Sequence, residues 1–600
     1  MAKACTPTRP PTEDRFPRCD NAERLGLFQG PAAVGRPVSP AASAKKHEAY
    51  RQPNRVCDPP DRQSTDRGRR VYVPAWLGVL GLFLLSACVR QRVPTEELVV
   101  LIEQPPRNID PRYTTTSIDF KLTYLAYARM VDVESQTLEP RMDLAESVEA
   151  LPALPEKGQP LRLQITLREA RFSDGSPVTA ADVAYTVERL ADDKQGSPGL
   201  RRRFAESGLI RPLEVVSPRV LRIAFSHPHA SALTDLDFGI VKSGSFESPS
   251  LFGLPVGAGP FVPVSEAGEV TRFVRNAFYH RGPPPIERLT VRVVRDANSR
   301  LLSLVGGSAD LTQNTVSPLL FDAVSKWHKR LTLQSAPSAI LFYLGMNNED
   351  VRFKDVRVRR AIAHAIDRDR IVRTKLHGKA QAATSLLPPF HWAYSAPEGE
   401  AAQALAYDPQ EAKRLLDEAG FPDPDGDGPL PRFTVVYKTS TDALPVAIAR
   451  VIAAQLAEVS ILVEVRPLEF HIFLSDVKKG NYHLYTLQSA EIAEPNMFRN
   501  FLHSAYAPSN KNLDAGINRM RYRNLEMDAL LDEGQREMDR QKRKALYKQV
   551  QAMLLRDLPM LPLWHPDNVV VTRREVSGYH LMPTAQFSGF SIVKKAALLP

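Results

Sequence analysis

The chain has 600 residues, 50 prolines and a formal net charge of +10. Residues 1–70 hold a balance of +6 and 10 of the prolines, so residues 71–600 have a balance of only +4. A nearly neutral main body argues against a nucleic-acid partner held by charge. Residues 1–70 also show no sustained apolar period, and such a segment cannot bury enough surface to offset its ordering entropy. We interpret them as a disordered extension, or as sequence upstream of the true translation start.

Residues 71–87 have the features of an export signal. Three arginines lie just before an uncharged run from Val71 to Ala87, as a basic region precedes the apolar core of a secretory signal. The apolar core is shorter than the roughly 20 residues that a membrane-spanning helix needs. The sequence Leu85-Ser86-Ala87-Cys88 resembles the bacterial lipobox, which implies that Cys88 is acylated and becomes the new N-terminus. We therefore predict a lipoprotein signal peptide over residues 71–87.

The cysteine positions agree with export. The four cysteines are Cys5, Cys19, Cys57 and Cys88, and none follows Cys88. A protein without further thiols avoids redox chemistry in an oxidising compartment. The alternative is that Cys88 is a chance cysteine at the end of an ordinary signal peptide.

The first elements of the main body are readable from local patterns. The apolar run Glu97–Ile102 and the alternating run Leu161–Leu167 each predict a strand. Residues 171–190 predict a strand end, a tight turn and a helix capped by Thr179, with Asp182 at the third helical position. Capping and spacing alone indicate no more than strand, turn and helix.

The amino-acid sequence of residues 171–190 also resembles the signature of a known family, the peptide- and nickel-type extracytoplasmic solute-binding proteins of ABC importers (family 5). Further family-like segments follow in the expected order along the chain. They are Gly257–Phe261, Arg275–Gly282, Asp296–Leu311, Asn347–Arg368, Tyr407–Gly420 and, at the C-terminal end, Tyr522–Asp528 with Leu558–Leu563. The resemblance covers about residues 95–595.

The resemblance implies an α/β fold of the type II periplasmic-binding-protein class, with two lobes and an additional domain. The expected parts are lobe I from 88–128, 256–340 and 564–600, additional domain II from 129–255, and lobe III from 341–563. Local patterns agree with an α/β lobe. Phe433–Tyr437, a helix over Leu444–Val459 and Ile461–Val465 predict a βαβ unit with a parallel strand pair.

Two aspartates and a helix pair complete the predicted elements. Asp355 and Asp367 each precede a run of helical period, as N-caps do. Two long amphipathic helices are predicted over Leu525–Asp539 and Arg540–Leu555. The basic residues near Asp355 are interpreted as a solvated or ion-paired helix face rather than an anion site.

The resemblance also implies ligand contacts. Peptide-binding members hold the ligand's ammonium with an acid, and Glu491 falls at that position. The family commonly has Trp where Gln488 stands and Asp where Glu491 stands, and some peptide binders carry Arg where Tyr485 stands. The missing Arg removes a partner for a peptide's C-terminal carboxylate, and the missing Trp removes a flat stacking surface. The alternative is that Glu491 is a surface residue on a loop.

A second pair of candidate contacts lies earlier in the chain. Gln313 and Asn314 align with a polar pair that contacts peptide backbone in family members. They are equally explained as polar residues at a strand end.

Other site patterns are incomplete. The run Asp423–Gly428 opens like an EF-hand loop, but Thr434 stands where a bidentate Glu is needed, so we interpret the run as a polar turn. His227 and His229 have no third candidate ligand nearby. The sequence shows neither a phosphate-binding Gly-rich motif followed by Lys nor a Gly-x-Ser-x-Gly elbow. We expect no catalytic residue, no metal and no cofactor.

The sequence therefore predicts a binding protein rather than an enzyme. We expect a monomeric lipoprotein on the extracytoplasmic face of the membrane that captures oligopeptides and delivers them to an ABC permease and ATPase complex. Within the same fold, the alternatives are another cargo, such as an oligosaccharide or a metal chelate, and a peptide-sensing or chaperone lipoprotein without transport. A hydrolase is a third class.

Overall fold

The computed structural model describes residues 93–134, 137–192, 197–245, 253–426, 428–489, 491–509, 512–513 and 516–597. All of them belong to one compact unit, Phe83–Pro600. The predicted signal peptide and Cys88 lie outside the described residues, and so do residues 1–70.

The described chain contains twenty strands. They are β1 Glu97–Ile102, β2 Val131–Val133, β3 Pro140–Met142, β4 Ala145–Leu151, β5 Leu161–Leu167, β6 Glu214–Ser217, β7 Val220–Phe225, β8 Phe261–Ala267, β9 Val270–Arg275, β10 Arg288–Val293, β11 Leu311–Gln313, β12 Leu331–Pro337, β13 Phe342–Met346, β14 Ala380–Ala382, β15 Phe433–Ser440, β16 Ile461–Leu468, β17 Leu484–Gln488, β18 Met560–Arg573, β19 Val576–Ser577 and β20 Lys594–Lys595.

Fourteen α-helices accompany these strands in the same residues. They are α1 Ser117–Ala126, α2 Ala180–Leu190, α3 Pro198–Ser207, α4 Ala297–Gly306, α5 Phe321–Lys326, α6 Val356–Ala365, α7 Arg368–Lys375, α8 Glu400–Gln403, α9 Pro409–Glu418, α10 Ala443–Ala457, α11 Phe470–Lys479, α12 Met497–Leu502, α13 Leu525–Arg536 and α14 Arg540–Asp557. None of the helices in the described ranges has both the length and the apolar character required to cross a membrane.

Most strands belong to one large mixed sheet with two halves. Its main order is β16-β15-β17-β13-β18-β11-β1-β10-β9-β8, and β12 and β14 also pair with β18. The long strand β18 joins the halves, because Met560–Trp564 pair with β13 and Asp567–Arg573 pair with β12. We call the side containing β1 the first half and the side containing β15 the second half.

A second connection between the halves runs from the end of β12 to the start of β13, and it lies beside the middle of β18. The Ser338 hydroxyl donates to the Pro566 carbonyl, and His565 Nδ1 lies 2.9 Å from the Ile340 carbonyl oxygen. Ser338, Ile340 and His565 are buried, and Pro566 is partly exposed. Two adjacent crossing segments are suited to act as a hinge, because only a few backbone angles must change for one half to rotate. The expected boundary at 340/341 lies in the connection from β12 to β13, and the expected boundary at 563/564 lies in the part of β18 that pairs with β13. Both boundaries stay predictions.

The apolar residues of the strands form the hydrophobic core, and β1 shows how. β1 is buried on both faces: Leu98, Val100 and Ile102 pack into one cluster, and Val99 and Leu101 pack into another. A strand covered on both faces reads as a continuous apolar run, which explains the sequence of β1. The strand prediction for Glu97–Ile102 is confirmed.

A separate four-stranded antiparallel sheet, β4-β5-β7-β6, lies within the expected additional domain. Its strand β5 matches the predicted run Leu161–Leu167 and alternates between buried and partly buried residues. Helix α2 begins after Thr179, whose backbone N–H and hydroxyl both donate to the Asp182 carboxylate, at 2.8 and 2.7 Å. The predicted turn and capped helix are confirmed.

The βαβ unit is also confirmed. β15 and β16 are parallel in continuous register, and α10 connects them. Asp355 and Asp367 cap α6 and α7 with side-chain acceptors, as the sequence indicates. The two long C-terminal helices end at Arg536 and Asp557, within a few residues of the predicted ends.

Candidate ligand-binding site

The two halves bring the carboxyl ends of their parallel strands to one cleft. In the first half β1 is parallel to β10 and β11, and in the second half β15 is parallel to β16 and β17. Ligands of open α/β sheets bind at the carboxyl ends of such strands. The residues just past these ends are therefore the first candidates for a binding site.

Charged side chains meet across this cleft. Glu103 follows β1, Lys121 lies on α1, Asp442 follows β15 and Glu491 follows β17. The Lys121 ammonium lies 3.9 Å from the Glu491 carboxylate, and this ion pair joins the two halves. Both side chains are mostly buried, with 16% and 23% of their surfaces exposed.

The pKa of Glu103 depends on the charges around it in the cleft. Its pKa is raised, chiefly by partial burial, and Asp442 across the cleft raises it further. Arg300 and Lys121 act in the opposite direction. Arg300 lies 3.9 Å from Glu103, but its guanidinium also donates to three backbone carbonyls, those of Val294, Arg295 and Thr315.

The backbone around Glu491 is held in place. Ser489 and Leu341 exchange two hydrogen bonds, and the Ile492 N–H donates to the Ala339 carbonyl. Ile492 is fully buried. The Glu491 carboxylate is therefore presented to the cleft by a segment anchored beside the hinge.

Gln488 lies at the last position of β17, where its backbone pairs with Phe342. Its side chain is exposed. The structure thus places Gln488 close in sequence to Glu491 and with its amide free to meet solvent or a ligand at the strand end.

Tyr485 lies elsewhere. Its side chain is fully buried in the second half, its hydroxyl donates to Met520 Sδ at 3.2 Å, and burial raises its pKa well above the usual range. A Cβ at Gly345 would come within 2.3 Å of the tyrosine ring, so the opposite strand needs glycine there. Because successive residues of a strand face opposite sides, Tyr485 and Gln488 point in opposite directions. In this conformation, Tyr485 belongs to the core and presents no atom to the cleft.

Gln313 and Asn314 use their side chains to hold the first half together. The Gln313 amide donates to the Ala585 carbonyl at 2.7 Å and accepts a hydrogen bond from the Tyr579 hydroxyl. Asn314 has a φ of 56°, donates to Asn568 Oδ1 and accepts from the Val569 N–H, both at 2.8 Å. These contacts tie the end of β11 to β18 and the C-terminal segment. The reading as polar strand-end residues explains both amides without a ligand.

Three groups at the cleft had no sequence signal. Lys121, Glu103 and Asp442 carry no motif. Lys121 is relevant because it pairs with Glu491 across the two halves, and Glu103 and Asp442 because their like charges face each other there. Among the described residues, no group of three or more His, Cys, Asp or Glu side chains is arranged to hold a metal ion.

Comparison with known proteins agrees with this architecture. The family model described as bacterial extracellular solute-binding proteins, family 5 (middle), matches residues 139–512. The chain belongs to this family. The match spans more than half of the chain and includes the four-stranded sheet β4-β5-β7-β6, α6 to α12 and the Glu491 segment.

Relatives of this family 5 solute-binding protein cover most of its length. A probable di/tripeptide-binding protein 5 of Pseudomonas aeruginosa is 27% identical over 440 residues, which are 69% of this chain and 79% of the relative. The oligopeptide-binding protein AppA of Bacillus subtilis, solved with a nonapeptide, has a TM-score of 0.68 and 23% identity, covering 84% of this chain and 99% of AppA. NikZ of Campylobacter jejuni, solved with Ni(L-His), has a TM-score of 0.70 and 21% identity, covering 84% of this chain and all of NikZ. These solved structures confirm the expected α/β fold of the type II periplasmic binding proteins.

Proposed function

We propose that this family 5 solute-binding protein captures short peptides outside the cytoplasm and delivers them to an ABC importer, and that Glu491 binds the peptide's N-terminal ammonium. The observation that supports this assignment is the position of the Glu491 carboxylate. It lies between the two halves and has an ammonium, that of Lys121, 3.9 Å away. The cleft therefore already accommodates the chemical group that we assign to the cargo.

The charge balance of the cleft supports an ammonium ligand. Three carboxylates, those of Glu103, Asp442 and Glu491, face two cations, those of Lys121 and Arg300. One negative charge is left over, and a monocationic group would balance it. A carboxylate opposite an ammonium forms a charge-assisted pair, and closure of the cleft would strengthen this pair by excluding water.

The mechanism is binding and closure. The two crossing segments beside His565 act as the hinge, and the halves enclose the peptide when they come together. A ligand that touches both halves shifts the equilibrium towards the closed form by its differential affinity for that form. Gln488, exposed at the strand end beside Glu491, is proposed as a second polar contact. Tyr485, Gln313 and Asn314 are assigned structural roles.

The membrane attachment is part of the proposal. Acylation of Cys88 would tether the protein to the membrane next to its permease and ATPase partners, and we expect it to act there as a monomer. Labelling of cells with a fatty-acid analogue should mark the wild-type protein and leave Cys88→Ser unmarked. Release of Cys88→Ser from the membrane fraction would complete the evidence, whereas equal labelling of both proteins would contradict it.

A thermal-shift screen of the full chain tests the cargo. Ligands that bind the folded state alone raise its melting temperature. We expect peptides of two to eight residues to raise it, and N-acetylated peptides to raise it much less, because acetylation removes the ammonium. A shift with oligosaccharides or nickel chelates and none with peptides would keep the solute-binding fold and overturn the peptide assignment. Turnover of the peptides would instead indicate a hydrolase.

A further inference from the structure

Lys121 has an unusual place for a basic residue in a site that is proposed to bind an ammonium. Its Nζ lies 3.9 Å from the carboxylate that we assign to the cargo. Its charge also acts on Glu103, a carboxylate of the first half. A cargo ammonium bound to Glu491 would lie close to Lys121 Nζ, and these two like charges would repel, so Lys121 and the cargo compete for Glu491.

The helix that carries Lys121 is firmly attached to the first half. Asp119 is fully buried, accepts hydrogen bonds from the backbone of Thr116 and Arg107, and forms a capping box at the start of α1. Leu122 and Leu125 are fully buried in the first-half core. Lys121 therefore moves with the first half, while Glu491 moves with the second. The ion pair exists only when the cleft is closed.

The pair itself is suited to exchange. A separation of 3.9 Å is too long for a hydrogen bond, and both side chains keep contact with solvent. The Lys121 ammonium sits on a flexible stem and has a second carboxylate, Glu103, available nearby. Displacement from Glu491 would therefore leave the lysine with a partner.

We propose that Lys121 is an internal competitor for the ammonium site. In the ligand-free protein its ammonium pairs with Glu491 and favours closure without cargo. An arriving peptide displaces it, and Lys121 then pairs with Glu103. This inference rests on the proposed role of Glu491, and it makes Lys121 a residue that sets both affinity and selectivity, because a ligand must offer more than a bare amine to displace a tethered one.

The test compares Lys121→Met, which keeps the length of the side chain but removes its charge, with the wild-type full chain. Isothermal titration with trialanine and N-acetyltrialanine gives the affinities, and small-angle scattering gives the radius of gyration without ligand. We expect Lys121→Met to bind trialanine roughly five- to twentyfold more tightly, because a closed competing state and a like charge are both removed. We expect no gain for N-acetyltrialanine and a larger ligand-free radius.

Lys326→Met is the matched control, because Lys326 is an exposed lysine on α5. It should change neither affinity nor radius. If Lys121→Met binds trialanine no more tightly and has an unchanged radius, while Glu491→Gln still loses the peptide, the competitor role is overturned and the proposed function stands. If trialanine binds neither the wild type nor either variant, the ammonium site and the competitor are overturned together.

Discussion

Glu491 and Glu494 lie three residues apart in one segment, yet their surroundings differ in kind. Glu494 pairs with Arg543, and its other carboxylate oxygen accepts a hydrogen bond from the Thr234 hydroxyl at 3.3 Å. Glu491 forms a long ion pair with Lys121. Glu494 is bound on several sides, whereas this ion pair is the polar contact of the Glu491 side chain within the part of the chain that the structure describes.

The surroundings of Glu494 form a network between the second half and the additional domain. Asn496 accepts hydrogen bonds from Arg543 and from the Tyr547 hydroxyl, both at 2.8 Å, and donates to the Ser231 hydroxyl at 3.0 Å. Burial raises the pKa of Glu494, and the charge of Arg543 counteracts this effect. A partly buried network with this many hydrogen bonds specifies one arrangement.

The difference teaches which acid is available to a ligand. Replacing the partner of Glu494 by a ligand would break several buried hydrogen bonds, whereas replacing the partner of Glu491 breaks one long, partly solvated pair. Proximity in sequence is therefore a poor guide to function within this segment, and the number of contacts to each carboxylate is a better one.

The largest expected effect comes from breaking the Glu494 network. Arg543→Met leaves the Glu494 carboxylate buried without its cation, which should lower the free energy of unfolding by about 3–5 kcal/mol. Arg540→Met is the control on the same helix, because Arg540 is half exposed in its pair with Glu139 and should cost at most about 1 kcal/mol. Urea denaturation measures both. Similarly small losses of unfolding free energy in the two variants would contradict the structural role that we assign to the Glu494 network.

His391, which lies against the segment between Glu491 and Glu494, should make the free energy of unfolding depend on pH. His391 is buried, accepts a hydrogen bond at Nδ1 from the Ala393 N–H and lies 3.3 Å from the Ala493 carbonyl, and burial lowers its pKa from 6.5 to about 4. Since the unfolded chain takes up the proton first, the contribution of His391 is present above pH 6.5 and is lost as the pH falls towards 4. The loss should reach about 3 kcal/mol.

Denaturation curves between pH 7 and 4 check this expectation. His391→Gln should be less stable at pH 7 but should show a shallower decline than the wild type. His471→Gln, at an exposed position on α11, should retain the wild-type decline. An equal decline in all three proteins would assign the pH dependence to other groups.

Glu491→Gln sharpens the comparison from the side of the ligand. The variant keeps the shape of the side chain and removes its charge, so peptide affinity should fall by about 1.5–3 kcal/mol, roughly ten- to hundredfold. The melting temperature should change little, because an exchangeable pair contributes little to stability. Titration and thermal unfolding measure the two quantities. The control is Glu464→Gln on β16, where the carboxylate is exposed and pairs with Arg466.

Two results for Glu491→Gln would contradict the assignment. Retained peptide affinity in Glu491→Gln would show that the ammonium binds elsewhere. A large fall in melting temperature would show that Glu491 resembles Glu494 and is structural.

The smallest effect is expected at Tyr485. Tyr485→Phe removes the hydroxyl contacts to Met520 and Tyr343, so stability should fall by about 1 kcal/mol and peptide affinity should not change. Tyr407→Phe, at a half-exposed position, is the control for stability. Weaker peptide binding by Tyr485→Phe with unchanged stability would indicate that Tyr485 belongs to the ligand site.

Local patterns in the sequence predict much of the fold. The apolar run of β1, the alternation of β5, the Thr179 and Asp182 cap and the βαβ unit around α10 were all readable, because each depends on residues within one turn, one strand or one connection. The family resemblance added the arrangement of lobes, and the solved structures agree with it.

The sequence by itself determined the class of fold and the segment in which to look for the site. Only the tertiary structure decided which side chains of that segment are free. The side chain of Tyr485 is buried on the core side of β17, the amides of Gln313 and Asn314 are used in contacts to β18 and the C-terminal segment, and Lys121 lies opposite Glu491. The physical reason is that a side chain's availability depends on partners from distant parts of the chain, and no local period or spacing encodes such partners.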